Sequence, residues 1–265
     1  MLKDITLGQY FPGDTVVHRL DPRTKLIFVL LYIIALFNAQ GWISYLVMIA
    51  VTLIAMAVSH ISLKNIFKGL KPMMFIIALT ALLNLFYTQG TPIREGWIIT
   101  WEGIERAVKM MLRITLLITG TFLLTYTTSP MALTDGLELL LKPLKKLKVP
   151  VHEMTLMMSM ALRFIPTLIE ETDKIMSAQK ARGADFETGN LIERAKALLP
   201  ILVPLFVSAF RRADELAVAM ESRCYHGGEG RTRMKQLHFT GIDFAGLFLG
   251  VLLMAGIFVL KRFGL

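Results

Sequence analysis

The apolar stretch "LIFVLLYIIALFNAQGWISYLVMIAVTLIAMAV" at residues 26–58 decides the fold class. As one helix it would be about 50 Å long, whereas a bilayer core is about 30 Å thick and needs about 20 apolar residues per crossing. The polar, glycine-containing run "FNAQGW" at 37–42 interrupts it. The stretch therefore predicts two membrane crossings, at Lys25–Asn38 and Trp42–Val58, the first of them short.

The rest of the chain has a composition that agrees with this prediction. Hydrophobic residues make up 54% of the 265 residues, charged residues make up 18%, and the mean hydropathy is +0.57. A soluble domain of this size cannot bury so much apolar surface. Further apolar segments predict crossings at Pro72–Thr88, at about Glu105–Thr127 and at Ile242–Leu260. The fold class predicted is an all-α polytopic membrane protein with about five transmembrane helices.

The distribution of charged residues predicts the orientation. Basic residues precede the first crossing, and Lys64, Lys68 and Lys71 follow the second, which is typical of cytoplasmic segments. The loop before the fourth crossing carries Trp97 and Trp101 among acidic residues, which indicates the outer face. We therefore expect a multi-pass protein of the cell membrane with a cytoplasmic N-terminus. The net charge of +9 is attributed to the cytoplasmic side, and no nucleic-acid partner is predicted.

Arg113 is an exception because it lies inside the fourth predicted crossing. Together with Arg106 and Lys109 it falls on one face of a helix. An arginine within a membrane span usually faces protein or water and is often functional. The same spacing also fits a stripe of basic side chains that reach towards the membrane interface. Both interpretations stay open at this point.

The segment between the fourth and fifth crossings is too polar to span a membrane and too apolar for a disordered tail. It predicts a helical cytoplasmic region at 129–240, between a membrane region at 1–128 with four crossings and a last transmembrane helix within 241–265. Three helices are expected in it, at Met131–Leu147, Val151–Arg182 and Leu191–Cys224. Pro200 and Pro204 are expected to bend the third.

The second and third of these helices end in similar sequences. "SAQKARG" at 177–183 aligns with "VAMESRC" at 218–224, which matches Ala181 with Ser222, Arg182 with Arg223, and Gly183 with Cys224. Small neighbours let a partner surface close around the helix end, and arginine offers a rigid fork of donors to carboxylates or carbonyls. A single such arginine would be read as complementing the helix dipole. A matched pair weakens that reading and favours docking.

Three runs carry a resemblance to a known family. "ALRFIPTLIEETDKIMSAQKARG" at 161–183 and "AMESRCYHGGEGRTR" at 219–233 resemble the two signature regions of the transmembrane T component (EcfT) of energy-coupling factor transporters, and "HRLDPRTKL" at 18–26 resembles the start of that family. The hydropathy pattern extends the resemblance to essentially the whole chain. The second region departs from the first because Ser222 and Cys224 replace the expected alanine and glycine.

The resemblance implies a non-catalytic scaffold that needs no cofactor. In that family, two cytoplasmic coupling helices dock their arginine motifs into grooves of two ABC-type ATPase subunits, which form a homo- or heterodimer. The membrane helices and the coupling-helix surface hold a separate S component that captures a vitamin or metal ion as cargo. By this resemblance the ATPase-docking residues are Arg182, Arg223, Ala181, Gly183, Ser222 and Cys224.

Other chemistry finds little support in the sequence. His152 and Glu153 begin an H-E pair, but Leu156 stands where a zinc protease needs its second histidine. The glycine-rich run "GGEGRTR" at 227–233 lacks the spacing and the lysine of a phosphate-binding loop. Neither a metal site nor a catalytic site is predicted. The alternative function is a stand-alone secondary transporter or channel, which would need ionisable groups at the midplane, where only Arg113 is a candidate.

Overall fold

A computed structural model describes residues 10–92, 99–186, 190–227 and 236–263 of the protein. Apart from one isolated β-bridge between Pro92 and Thr100, the regular structure in these ranges is helical, which confirms the all-α prediction. The helices are α1 (Val16–Arg19), α2 (Pro22–Asn38), α3 (Trp42–Ser59), α4 (Leu63–Leu70), α5 (Met74–Tyr87), α6 (Trp101–Thr127), α7 (Pro130–Leu141), α8 (Val151–Ala181), α9 (Leu191–Glu221) and α10 (Gly241–Arg262). Trp97 and most of the run at 227–233 lie outside the described residues.

The described chain divides into two compact units. The membrane unit holds α1–α7 and α10, within 8–140 and 237–265, and the helix-pair unit holds α8 and α9, within 141–236. The first helix expected in the cytoplasmic region, α7, thus groups with the membrane unit. The boundaries at 128 and 240 concern placement relative to the bilayer and stay predictions.

Four helical segments are long and apolar enough to cross a membrane: Trp42–Ser59, Leu63–Tyr87, Trp101–Thr127 and Gly241–Arg262. The second of these combines α4 and α5 through a 3-10 turn at Lys71–Met73. All four coincide with predicted crossings to within a few residues at most ends. The exception is the start of Leu63–Tyr87, which lies nine residues before the predicted start at Pro72. The hydropathy of the sequence therefore located these segments correctly.

The remaining predicted crossing, α2, has 17 residues, at the short end of the range for a span. Both its ends are joined to α10. The backbone N–H of Asp21 donates to Asp243 at 2.8 Å, and the Lys261 ammonium donates to the Asn38 side-chain oxygen at 2.9 Å. The two helices therefore run parallel, and α2 covers the same thickness as α10. This geometry supports α2 as the fifth crossing.

Asp243 is the centre of a buried polar clamp at the start of α10. Its side chain is fully buried and also accepts hydrogen bonds from the N–H and hydroxyl of Thr240, at 2.8 and 2.6 Å. Arg23 forms an ion pair with Asp21 at 2.8 Å and lies over the ring of Phe239, 3.9 Å from its centroid. The polar residues of "HRLDPRTKL" thus fasten the first membrane helix to the last.

Lys25 belongs to the same region and is also buried. Its ammonium donates to the carbonyl of Thr127 at 2.9 Å, the hydroxyl of Thr128 at 3.1 Å and the carbonyl of His18 at 3.2 Å. A buried ammonium is tolerated only when its donors are satisfied, as all three are here. Lys25 thereby joins α2 to the end of α6.

The middle of the membrane unit is held by Tyr32. Its hydroxyl donates to the carbonyl of Leu116 at 3.2 Å and shares a hydrogen bond with Thr52 at 2.8 Å, so that α2, α6 and α3 meet at one point. A Cβ at Gly120 would lie 2.6 Å from the Tyr32 ring. Only glycine therefore lets α6 approach α2 this closely.

The helical segment predicted at Met131–Leu147 is present but changes type along its length. The α-helix ends at Leu141, and a 3-10 helix follows at Lys142–Leu147. Pro143 has no N–H to continue the α-helical pattern, and it disfavours the α conformation of Lys142 before it.

Candidate functional site

The helix-pair unit consists of two long antiparallel helices. Helices α8 and α9 contain 31 residues each. Glu171 accepts hydrogen bonds from the hydroxyl of Ser208 and from the Arg212 guanidinium, the latter at 2.9 Å. Further along α8, the Gln179 amide donates to the carbonyl of Pro200 at 3.4 Å. As the residue number rises along α8, the residue number of the contacting residue on α9 falls. The two helices are therefore antiparallel.

Both proline residues of α9 help to explain this crossing. Pro204 has no N–H, so the carbonyl of Pro200, four residues earlier, lacks its intrahelical donor. The Gln179 side chain supplies a donor to that carbonyl. The prolines therefore interrupt the hydrogen bonding of α9 without ending the helix, and one freed carbonyl becomes a contact between the helices.

Glu171 is the charged contact of the crossing. The hydrogen bond from Ser208, and after it the positive charge of Arg212, hold the pKa of the Glu171 carboxyl below its usual value, against the opposing effect of desolvation. The carboxyl group is therefore ionised at neutral pH. An ionised carboxylate accepts stronger hydrogen bonds than a neutral one, which fastens α8 to α9 at this point.

The end of α8 has a closed hydrogen-bonding pattern. The N–H of Gly183 donates to the carbonyl of Lys180 at 3.0 Å, and the N–H of Ala184 donates to the carbonyl of Gln179 at 3.0 Å. Gly183 is in the left-handed conformation, with φ of 88°. This combination is a Schellman motif, in which glycine is preferred because it lacks a Cβ.

The end of α9 repeats that pattern in the same register. The N–H of Cys224 donates to the carbonyl of Glu221 at 2.8 Å, and the N–H of Tyr225 donates to the carbonyl of Met220 at 3.0 Å. Cys224 is in the left-handed conformation with φ of 55°, a conformation that costs a residue with a Cβ about 1–2 kcal/mol. The short sequence match thus corresponds to a match in backbone structure.

Arg182 and Arg223 occupy equivalent positions, immediately before the left-handed residue of each helix end. Both are exposed, as are their neighbours Ala181, Gly183, Ser222 and Cys224. Within the described parts of the chain, neither guanidinium has a hydrogen-bond or ion-pair partner. Each guanidinium is therefore accessible, and the predicted docking role of the two arginines stays a prediction.

The structure does not bring the two arginines together. The contacts of Glu171 and Gln179 place the crossing near the middle of 171–179 on α8 and of 200–208 on α9. At about 1.5 Å per residue, Arg182 lies roughly 10 Å and Arg223 roughly 30 Å from the crossing, on opposite sides of it. The helix pair thus presents two separate, similarly built ends.

An apolar stripe on α9 was missed by the sequence analysis. It consists of side chains at spacings of three and four residues, exposed by 42 to 70%: Leu199, Leu202, Val203, Phe206, Val207 and Phe210. This spacing puts them on one face of the helix, and the helical period in the sequence was enough to find it. On α8, Met154, Met157 and Met158 are also exposed. An exposed apolar surface of this kind marks a binding site for protein or lipid.

Other kinds of site find no support in the described part of the chain. The described residues contain no group of three or more His, Cys, Asp or Glu side chains that could hold a metal ion. Cys224 is a free, exposed thiol. What the helix-pair unit offers is therefore contact surface: two cationic ends and an apolar stripe.

Comparison with known proteins gives a consistent result. The family model described as cobalt transport protein, CbiQ, matches residues 13–234. A protein of Ruminiclostridium cellulolyticum is 56% identical over 245 residues, which is 92% of each chain. A protein of Thermosediminibacter oceani is 54% identical over 99% of each chain, and one of Bacillus subtilis is 48% identical over 98% of this chain and 100% of its own. All three are named energy-coupling factor transporter transmembrane protein EcfT.

Proposed function

The chain belongs to the EcfT family, the transmembrane T components of energy-coupling factor transporters, and from this premise we propose that it is a non-catalytic coupling subunit. In this proposal the helix-pair unit docks two ABC-type ATPase subunits, and a membrane S component binds beside it. Movement driven by ATP hydrolysis in the ATPase subunits reaches the S component through α8 and α9, and the S component then releases its vitamin or metal cargo.

The matched helix ends carry the proposal. A dimer of ATPase subunits presents two similar binding grooves, so a single scaffold that binds both needs two similar projections. Arg182 and Arg223 meet this requirement because both are exposed, without a partner in the described chain, and held by the same backbone motif. The docking set is Arg182, Arg223, Ala181, Gly183, Ser222 and Cys224, with the small residues leaving room for the groove walls.

The apolar stripe on α9 supports the second contact. A membrane-embedded S component offers apolar helices, which can cover Phe206, Phe210 and their neighbours when it moves against the helix pair. The exposed methionines of α8 can repack against different surfaces because the side chain is flexible and polarizable. We assign the S component to this surface.

The orientation belongs to the same proposal. Because ATP is cytoplasmic, the proposal puts α8 and α9 in the cytoplasm, and we propose the same side for the N-terminus from the basic residues that precede the first crossing. The only cysteine, Cys224, is exposed and can report this directly. A membrane-impermeant maleimide should label it in inverted vesicles but not in intact cells, whereas a Gln89→Cys, Cys224→Ser variant should show the opposite behaviour.

The docking role is tested by charge reversal at the helix ends. Co-purification of the chain with the ATPase subunits is compared for Arg182→Glu, Arg223→Glu and the double variant. Hydrogen bonds to charged groups contribute about 1.5–3 kcal/mol each, so each single change should weaken binding by about tenfold to a hundredfold. Lys174→Glu is the matched control, since Lys174 is exposed on α8 and undergoes the same change of charge.

Two results would contradict the proposal. Unchanged co-purification of both single variants would exclude docking through the arginines. Solute uptake by the isolated chain in liposomes, without ATPase subunits, would support the stand-alone transporter instead. In the assembled complex, the thiol of Cys224 should also react with maleimide more slowly than in the isolated chain, because the bound ATPase subunit covers it.

A further inference from the structure

A basic cavity lies at the end of the membrane unit opposite the Asp243 clamp. Its volume is about 310 Å³, and its lining residues are Gln40, Arg106, Lys109, Met110 and Arg113. Gln40 comes from the turn between α2 and α3, and the other four lie on one face of α6. The three cations are thus gathered around one space rather than spread along the helix.

The positive charge of this cavity is only partly compensated. Lys109 forms an ion pair with Glu105, and in the described chain Arg106 and Arg113 have no carboxylate within ion-pair distance. Lys261 adds a further cation at this level, where it binds Asn38. Among the described residues, one carboxylate therefore pairs with one of the three cations of the cavity, which leaves a net positive charge suited to an anion.

Arg113 supplies a second, independent observation. One terminal nitrogen of its guanidinium donates to the carbonyl of Ala39 at 3.0 Å, which fixes the side chain. Its Nε is buried and has no hydrogen-bond partner. Because protein atoms cover this nitrogen, the donors that can reach the cavity are those of the terminal nitrogens, one of which also contacts the Met110 sulfur at 4.0 Å.

The depth of the cavity in the membrane narrows the choice of anion. It adjoins the turn between two membrane crossings, α2 and α3, which lies at a membrane surface. Lys109 lies over the ring of Trp42 at 5.5 Å and Arg113 lies near the ring of Tyr45 at 5.9 Å. Tryptophan and tyrosine concentrate at the headgroup level of a bilayer, and arginine and lysine donate strong charge-assisted hydrogen bonds to phosphate oxygens there.

We propose that Arg106, Lys109 and Arg113 bind the phosphate group of an anionic phospholipid in the leaflet at the Ala39 end of α2. The phosphate oxygens accept from the free donors of the two guanidinium groups and from Lys109. Met110, in the cavity wall, contacts the apolar part of the same lipid. This assignment is independent of the proposed coupling function, because its residues belong to the membrane unit and take no part in the proposed docking.

The test uses the full-length chain in nanodiscs of phosphatidylcholine with and without phosphatidylglycerol. Retained phosphatidylglycerol is counted by native mass spectrometry, and its effect on the melting temperature is measured in parallel. The test variant is Arg106→Gln with Lys109→Gln, which leaves the Arg113 bond to Ala39 intact. The control is Lys64→Gln with Lys68→Gln, which removes two exposed cations from α4 and changes the net charge equally.

The wild type and the control should retain phosphatidylglycerol and be stabilised by it, whereas the test variant should bind it about tenfold more weakly or worse. An Arg113→Lys variant should also bind more weakly, because a single ammonium cannot hold the Ala39 carbonyl and bind phosphate with the fixed fork geometry of a guanidinium. Equal retention by the test variant and the wild type would overturn the proposal. So would stabilisation of the wild type in pure phosphatidylcholine by inorganic phosphate to the same extent as by phosphatidylglycerol, because a free anion would then suffice.

Discussion

The membrane unit and the helix-pair unit differ in which of their polar and apolar side chains are buried and which are exposed. In the membrane unit the polar groups of Asp21, Lys25 and Asp243 are buried and bonded to other helices. In the helix-pair unit, Glu171 and Gln179 fasten the crossing, while the arginines and the apolar stripe are exposed. The polar groups of the first set are thus satisfied within their own unit, whereas those of the helix ends are left accessible.

This difference separates residues that stabilise the chain from residues that serve an assembly. Substitutions in the membrane unit should lower the stability of the isolated chain. Substitutions of exposed side chains on α8 and α9 that leave the backbone conformation unchanged should have little effect on the isolated chain and act mainly on its complexes. Four changes test this division, in order of decreasing effect on the isolated chain.

The largest effect is expected for Asp243→Ala. The change removes the acceptor of three hydrogen bonds and leaves the N–H of Asp21 buried without a partner. The cost should be on the order of 3 kcal/mol, which corresponds to a fall in melting temperature of roughly 10 °C for a chain of this size. Thermal unfolding in mild detergent measures it. Asp214→Ala, at an exposed position of α9, should leave the melting temperature within a degree or two of wild type.

The two helix ends should respond in opposite directions to changes at the left-handed residue. Gly183→Ala should destabilise the end of α8 by about 1 kcal/mol, because φ of 88° is unfavourable for alanine. Cys224→Gly should stabilise the end of α9 by a few tenths to about 1 kcal/mol. Hydrogen exchange of the amides at 183–184 and 224–225 measures each end separately. Faster exchange in both variants, or in neither, would refute the equivalence of the two motifs.

A smaller effect is expected from acidification of the helix crossing. The pKa of Glu171 is lower in the folded chain than its ordinary value of 4.5, so its contribution is fully present above that pH. It is lost as the pH falls below 4.5 towards the folded-state pKa, because protonation weakens the bonds from Ser208 and Arg212. Spin labels at the exposed positions of Met157 and Val218 measure the distance between α8 and α9. The distribution of this distance should become broader at that low pH. In Glu171→Gln this particular pH dependence should be absent, and its persistence would assign the effect to another group.

The smallest effect on the isolated chain is expected for Phe206→Glu. The ring is 61% exposed, and substitutions at exposed positions usually change stability by less than about 0.5 kcal/mol. The melting temperature should therefore stay the same, while co-purification with the S component should fall because a carboxylate replaces an apolar contact. A large loss of stability in the isolated chain would show that the stripe belongs to its core.

Much of this division could be predicted from local sequence patterns. The crossings at Trp42–Val58 and Glu105–Thr127 follow from hydropathy, because any apolar run of sufficient length must leave water. The similarity between Arg182 and Arg223 was visible because both helix ends share the same short pattern. The stripe around Phe206 has a helical period and was also open to prediction.

Long-range pairings could not be predicted in the same way. The bond from Asp21 to Asp243 joins residues that are 222 positions apart, and nothing local to either residue specifies the other. The partner of Arg113 is the backbone carbonyl of Ala39, an atom that every residue carries. The end of α7 at Leu141 was missed although its cause, Pro143, is present in the sequence.

The pairing of α2 with α10 has a consequence for the synthesis and membrane insertion of the protein. The carboxylate of Asp243 leaves the ribosome 222 residues after Asp21, a delay on the order of tens of seconds at ordinary rates of translation. During that time the shortest membrane helix lacks the neighbour that holds both its ends. Early insertion of the nascent chain must therefore rely on α3 and α6, and a message truncated before α10 would yield a product that quality-control proteases can recognise.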